Sequence, residues 1–399
     1  MSRPLPRVLF VTGEYPPMLG GVGAYTHELA HALARLGHPV AVVTHRQATR
    51  APGAAGASAV AVYPWIPRWG WGALFHVARL ARHWRAEWVH VQYQTAAYGM
   101  HPAIHFAPDL WRRWGFRVAW TYHDLRVPYL FPKAGHRLRR WITWRPGRVA
   151  HRTVVTNEAD RRQLAPSRPD VVSIPIGSNI RGRRLSASQR AARRAQRGYL
   201  PDQLVVGYFG FLNPSKGGVT LIQTLDRLVR AGRDAHLLMI GETVGASDPS
   251  NRAYLAELER LIAALELGPR VRWTGPEPEH QVAADLNIVD VLLMPYVDGA
   301  STRRGTLMAG LANGCAIVTT EPQAPLPELV HGRDLLYVPP EDPEAAAQAV
   351  LQIADRPDLA ARLRENACRR SQLFTWETIA RGHQRLYRSP EAPLRPNLL

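Results

Sequence analysis

At 399 residues and 46% hydrophobic composition, the chain suits two domains with sizeable cores better than one. Its two cysteines, Cys315 and Cys368, argue against a disulfide framework, and no apolar run reaches the ~18 residues of a membrane helix. The net charge of +18 is uneven: residues 1–200 hold 30 basic and 8 acidic side chains, a net +22, and the remainder stands at −4.

That asymmetry points to an anionic partner for the first half: nucleic acid, an anionic membrane face or a phosphorylated acceptor. Lys133 and Lys216 are the only lysines, so an arginine bias of the source is the other reading. The N-terminus lacks an apolar signal-peptide core with a small-residue cleavage site, and a cytoplasmic protein is expected.

Val8 to Val11 predicts a buried strand, followed by a loop carrying Gly20, Gly21 and Gly23. A helix is predicted from about Ala24 to Leu36, with Leu29, Ala32, Leu33 and Leu36 on one face and Gly37 as C-cap, then a strand over Val40 to Thr44. Such a loop either presents backbone N–H groups to a phosphate or merely permits a tight turn; GGVG is not the dinucleotide fingerprint G-x-G-x-x-G. A helix from about Trp71 to Trp84 and strands over Trp88 to Gln92, Arg117 to Tyr122, Thr153 to Thr156 and Val171 to Pro175 continue the alternation. Residues 126–148 mix Tyr, Phe and Trp with arginines, as does the Trp65 to Trp88 stretch; both suit either a membrane interface or a solvated helix with core-facing tryptophans. The polar, Arg-rich piece from Arg181 to Arg197 predicts a linker with one exposed helix and the domain boundary.

The second half repeats the plan. Strands are predicted over Leu204 to Phe209, His236 to Ile240, Val271 to Thr274, Val291 to Pro295 and Ala316 to Thr319. Helices are predicted over Val219 to Ala231, Tyr254 to Leu265, Thr306 to Ala312, Pro343 to Ala354, Pro357 to Arg370 and Trp376 to Tyr387, the last with Thr375 as N-cap. The expected divisions are an N-terminal Rossmann-like domain over 1–185, a linker over 186–203 and a C-terminal domain over 204–375, with helix 376–390 packing back on the first.

With GGVGAY after a strand and two prolines, a strand ending TYHD (Thr121 to Asp124), the loop GFLNPSKG (Gly210 to Gly217) and a closing FTWETIA, the chain resembles the retaining GT-B glycosyltransferases of family 4 over nearly its whole length. The resemblance implies two doubly wound Rossmann-like domains facing a cleft, a nucleotide-diphosphate sugar as co-substrate, and neither metal nor other cofactor. The family signature, a glutamate, seven residues and a second glutamate opening an E-A-M-A-x-G-x-P-V-V run, is altered. The segment reads DGASTRRGTLMAGLANGCAIVTT from Asp298, with Ala309 at the second glutamate, Ser301 at the first and Asp298 as the nearest carboxylate. In the G-R-L-x-x-x-K-G loop, Phe211 takes the arginine position and Lys216 keeps the lysine.

Charge-assisted bonds from Lys and Arg suit a departing diphosphate. The expected diphosphate contacts are Lys216, Gly21, Gly23, Ser301, Thr302, Arg303 and Arg304, one of the two arginines replacing the one missing at Phe211. The resemblance implies that His123 touches the donor sugar near the anomeric carbon. Asp298 either accepts bonds from sugar hydroxyls or is a turn residue before Gly299; His123, Asp298 and Lys216 are the catalytic candidates. Thr306 and Gly275 are the expected nucleoside contacts, and Tyr93 and Gln94 the expected acceptor side. His101 and His105 are spaced i,i+4 but suit packing better than zinc. The expected partners are a nucleotide sugar, a glycan or lipid-linked acceptor and an anionic membrane surface, with no nucleic acid. A non-catalytic GT-B protein that binds nucleotide or glycan is the alternative, favoured by Ala309 and Phe211.

Overall fold

The computed structural model describes residues 4–18, 20–48, 60–127, 135–241 and 249–389, which form two compact units. The first comprises residues 1–177 and 375–399, the second 178–374.

The first unit holds a parallel sheet of β1 (Val8–Thr12), β2 (Val40–His45), β3 (Val60–Ile66), β4 (Trp88–Tyr93), β5 (Arg117–Tyr122), β6 (Arg152–Val155) and β7 (Val172–Ser173), in the order β3-β2-β1-β4-β5-β6-β7. Its helices are α1 (Gly21–Arg35), α2 (Trp71–His83), α3 (Ala107–Arg113), α4 (His136–Val149) and α5 (Glu158–Leu164). Successive strand residues point to opposite faces, so a strand covered on both sides reads as a continuous apolar run. Leu9 and Val11 of β1 join a core with α2 and Trp111 of α3, whereas Val8 and Phe10 join one with α1.

The second unit is wound in the same order. It has β8 (Leu204–Phe209), β9 (Ala235–Ile240), β10 (Val271–Trp273), β11 (Val291–Met294), β12 (Ile317–Thr320) and β13 (Leu336–Val338), arranged β10-β9-β8-β11-β12-β13. Its helices are α6 (Ala187–Gln196), α7 (Gly218–Arg230), α8 (Pro249–Ala264), α9 (Glu279–Ile288), α10 (Gly305–Ala312), α11 (Pro343–Ala354) and α12 (Pro357–Ser371). The remaining helix, α13 (Trp376–Arg388), returns to the first unit. There Ile379, Ala380, Leu386 and Tyr387 enter the α1-side core. Each sheet reverses its winding direction next to its first strand, and in such sheets ligands bind beyond the strand ends at that point. Those loops are residues 13–20 and 94–95 in the first unit, and 210–217 and 295–304 in the second.

The Arg-rich piece 186–203 holds the expected, largely exposed helix, but it is part of the second unit rather than a linker. Division between the units falls at Gly177 and Ser178, and α6 belongs to the second unit. Ser186 and Gln189 close a capping box at its start. The Arg193 Nε and Arg197 Nε groups donate to the fully buried Asp285 at 2.8 and 3.0 Å, and Arg194 Nη1 lies 3.1 Å from Asp290. Its arginines are partnered by carboxylates far along the chain, which no local pattern reveals. Strands β3 and β13 and helices α3, α5 and α9 are additions to the predicted set. Strand β13 and helices α3 and α5 are too short for a clear period, and α9 buries residues around most of its circumference.

Candidate active site

In the second unit the two switch-point loops are fastened together: Val297 N donates to Ser215 O at 3.1 Å. Asn213 caps the short turn Pro214–Lys216 by accepting from Ser215 N. Gly217 then adopts a left-handed φ of +71°, and a Cβ there would stand 1.8 Å from Pro295 O, so only glycine lets the two loops close. This junction places Lys216 Nζ 5.1 Å from the centre of the Tyr296 ring, with the Arg304 guanidinium 4.7 Å from it. The Tyr296 hydroxyl, whose pKa burial pushes up to about 12, stays protonated and shares a 2.6 Å bond with Thr306 Oγ1.

Asp298 pairs with Arg304 and lies 3.7 Å from Arg303. Its carboxylate therefore orients the arginines, a use that competes with bonding to sugar hydroxyls. Arg304 Nε is buried and lacks a hydrogen-bond partner, an arrangement that favours an incoming anion. Ser301 O accepts from Arg304 N at 3.0 Å, and the buried Thr302 follows it in the turn that starts α10. Ala309 is fully buried, and its carbonyl accepts from both N–H groups of Asn313 at 3.0 Å. Thr306 packs beside Gly210. Gly275, at φ +70° beyond β10, has open space where a side chain would be.

In the first unit His123 follows β5. Its Nε2 lies 2.9 Å from the Gln92 side-chain amide. Burial pushes its pKa down to about 3, so the ring is neutral at physiological pH. The Tyr25 ring packs edge-on against it at 4.6 Å. Tyr25 in turn bonds His383 Nε2 of α13 at 3.1 Å and packs on Trp376 at 5.2 Å. Gln92 Nε2 is buried without a partner.

One of the two glycine amides expected to meet a diphosphate, that of Gly23, already has an anion. Glu14 Oε1 accepts from Val22 N at 3.1 Å and Gly23 N at 3.2 Å, at the start of α1. A Cβ on Gly20 would meet that carboxylate at 2.0 Å. A role for the Gly23 amide in diphosphate binding thus requires Glu14 to move. Tyr93 does not line an open acceptor side: it is fully buried, bonds Thr95 and His105 and packs among Tyr98, Trp120 and Tyr122. Gln94 is partly exposed. His101 caps a short turn through Ala103 N, His105 Nδ1 donates to Pro102 O, and no metal-ligand cluster occurs among the described residues.

Sequence reasoning missed Glu14, Gln92, Tyr25, Tyr296 and His383. Two left a signal: Glu14 is the single carboxylate in the first 27 residues, and Gln92 is, with His90, one of two strongly polar side chains in a buried strand.

Two Rossmann-like units, each with its ligand loops at the same switch point, define the GT-B class of transferase. Residues 19–202 match the family described as Glycosyltransferase Family 4, and residues 203–356 match Glycosyl transferases group 1. The chain belongs to that glycosyltransferase family. It is 26% identical over 242 residues to the D-inositol 3-phosphate glycosyltransferase of Streptomyces avermitilis, covering 58% of this chain and 50% of the relative. It is 27% identical over 257 residues to the enzyme of the same name from Saccharomonospora viridis, covering 63% and 58%. The chain thus spans about half the length of the curated relatives it matches. Among solved structures, sucrose-phosphate synthase from Thermosynechococcus elongatus superposes with a TM-score of 0.74 at 22% identity, covering 96% of this chain and 98% of that one. HepE of Anabaena, in complex with UDP and glucose, gives 0.71 at 17%, covering 96% and 99%.

Proposed function

We propose that the protein is a retaining glycosyltransferase that moves a sugar from a nucleotide-diphosphate donor to a cell-envelope acceptor, lipid-linked or polysaccharide, at the inner face of the membrane. The observation that carries this reading is the cationic cradle of Lys216 and Arg304 around Tyr296, with the unpartnered Arg304 Nε. Lys216, Arg303 and Arg304 supply the positive charge that a departing diphosphate needs, so no metal is invoked. Arg304 takes the part of the arginine replaced by Phe211, and Asp298 holds it there.

Transfer with retention proceeds on one face of the sugar. The bond between the anomeric carbon and the phosphate oxygen breaks, the acceptor oxygen bonds that carbon from the same side, and the leaving phosphate oxygen takes the acceptor's proton. No protein nucleophile is required. His123, neutral and bonded through Nε2 to the Gln92 amide, contacts the donor sugar and does no acid chemistry. The HepE complexes with UDP and with UDP-glucose make uridine diphosphate sugars the first donors to test.

The test is a thermal-shift panel of UDP, GDP, ADP, dTDP and their sugar conjugates on wild type and Lys216→Ala. A ligand that binds the native state raises the midpoint by mass action. A shift with one nucleotide, lost in the variant, supports the donor site; no shift in folded protein sinks it. A second reading, a non-catalytic binder, draws on Ala309, which leaves no carboxylate at the position usual for the ribose contact. Nucleotide release coupled to sugar transfer onto an acceptor would exclude it, and binding without turnover would favour it.

A further inference from the structure

We propose that the outer faces of α2 and α4 form a membrane-docking surface that seats the first unit on an anionic bilayer. It rests on the proposed function only for its purpose, since lipid binding requires neither donor nor acceptor.

On α2, Trp71, Phe75, Arg79 and Arg82 recur at spacings of four, four and three, which makes one stripe along the helix. All four are exposed, Trp71 at 54% and Phe75 at 58%. On α4, Leu138 and Trp141 project at 50% and 45%, flanked by the exposed Arg137 and Arg140. The two stripes are joined by rings and cations. Trp71 packs on Phe106 at 5.7 Å, and the Arg145 guanidinium lies 5.2 Å from the Phe106 ring and 5.6 Å from that of Trp141. Phe75 packs on Trp114 at 5.2 Å, with Arg82 over the other ring at 5.7 Å.

A core-forming helix hides its aromatics, and this unit does so elsewhere: Trp88, Trp111 and Trp120 are fully buried. Large apolar side chains gathered on a surface mark an interaction site. The charge selects the partner. The outer faces present Arg79, Arg82, Arg137 and Arg140, neither helix contains an acidic residue, and Arg145 is paired with Asp109 of α3. Two copies of such a face would repel across a two-fold axis. An anionic lipid surface attracts the arginines and accepts tryptophan, phenylalanine and leucine at its acyl boundary, and arginine stems bury their methylenes there while the heads stay hydrated.

The test is vesicle flotation with the full chain, without nucleotide. Vesicles of phosphatidylcholine alone are compared with vesicles of phosphatidylcholine mixed with phosphatidylglycerol. Capture is expected on the anionic vesicles and release on raising the salt. The variant Trp71→Ala/Phe75→Ala/Trp141→Ala should lose capture by about tenfold or more, and Arg137→Glu/Arg140→Glu by a similar factor. These side chains are exposed, and an unchanged melting temperature identifies a folded variant. Equal capture on both vesicle types, or full capture by both variants, overturns the proposal. So does a dimer, or an RNA complex, that forms instead of lipid capture and is abolished by the same substitutions. Failure of the nucleotide panel leaves this result unaffected, so the two readings fail separately.

Discussion

Acidification from about pH 8 to about pH 5 should remove most of the stability of the first unit and spare the second. Four histidines lowered by burial set most of the effect. Burial pushes His123 and His383 down to about 3 and His105 to about 4, and it holds His90 well below its ordinary value. His90 has both ring nitrogens bonded, to Tyr387 at 2.6 Å and Thr121 at 2.8 Å. In the unfolded chain each titrates near 6.5, so below that pH the unfolded state binds protons that the native state refuses. Stability is therefore complete above pH ~6.5 and falls as the pH drops toward the native values. At pH ~5 His123, His383 and His105 cost about 2 kcal/mol each, and His90 acts in the same direction. A loss of roughly 6 kcal/mol compares with a typical total of about 5–15. Among the described histidines of the second unit, only His236 has a resolved lowering, and Asp234 opposes it.

Eleven of the twelve tryptophans lie in the first unit, all but Trp273, so intrinsic fluorescence reports its urea unfolding. Segment-resolved hydrogen exchange follows the second. Replacing His383 by phenylalanine should flatten the pH dependence by about a quarter, since it keeps an aromatic ring but cannot bind a proton. An unfolding free energy that changes by less than about 1 kcal/mol between these pH values would refute the burial argument.

Three further outcomes are expected. Glu14→Ala should cost about 1–2 kcal/mol by releasing two amides of α1, and Gly20→Ala should be far milder in that background, where its Cβ no longer meets the carboxylate; urea-unfolding midpoints in a double-mutant cycle measure the coupling. Arg304→Lys should weaken nucleotide-diphosphate binding about tenfold or more by calorimetry, because lysine cannot hold Asp298 and bond a phosphate through a planar fork; unchanged affinity would remove Arg304 from the donor site. Gly217→Ala should cost more than about 2 kcal/mol in thermal unfolding, since its Cβ would strike Pro295 O, whereas Gly232→Ala, at φ +78° with open space around it, should cost about 1.

Much of the fold is legible from neighbours in the chain. Apolar runs such as Val8–Thr12 and the stripe of α7 encode strand and helix locally, and Gly37 and Thr375 mark ends. Lys216 is legible because its loop, its cap and its glycine are contiguous. Tyr93 misled because one residue at a strand's end can face an open site or an aromatic core, and sequence does not say which. Asp298 was ambiguous between sugar and turn because its partner, Arg304, is fixed by the packing of the Tyr296 loop.

The sequence by itself determined the alternation of strands and helices, the two-unit plan and the glycines at the ligand loops, because period, capping and turn chemistry act within a few residues. Tertiary structure alone decided which charge meets which. Glu14 closes the glycine loop, α6 is fastened through Asp285 and Asp290, and Tyr25 bonds a histidine 358 positions away. Electrostatic and hydrogen-bond partners are chosen by distance in space, which exists only once the sheets have wound and the last helix has returned.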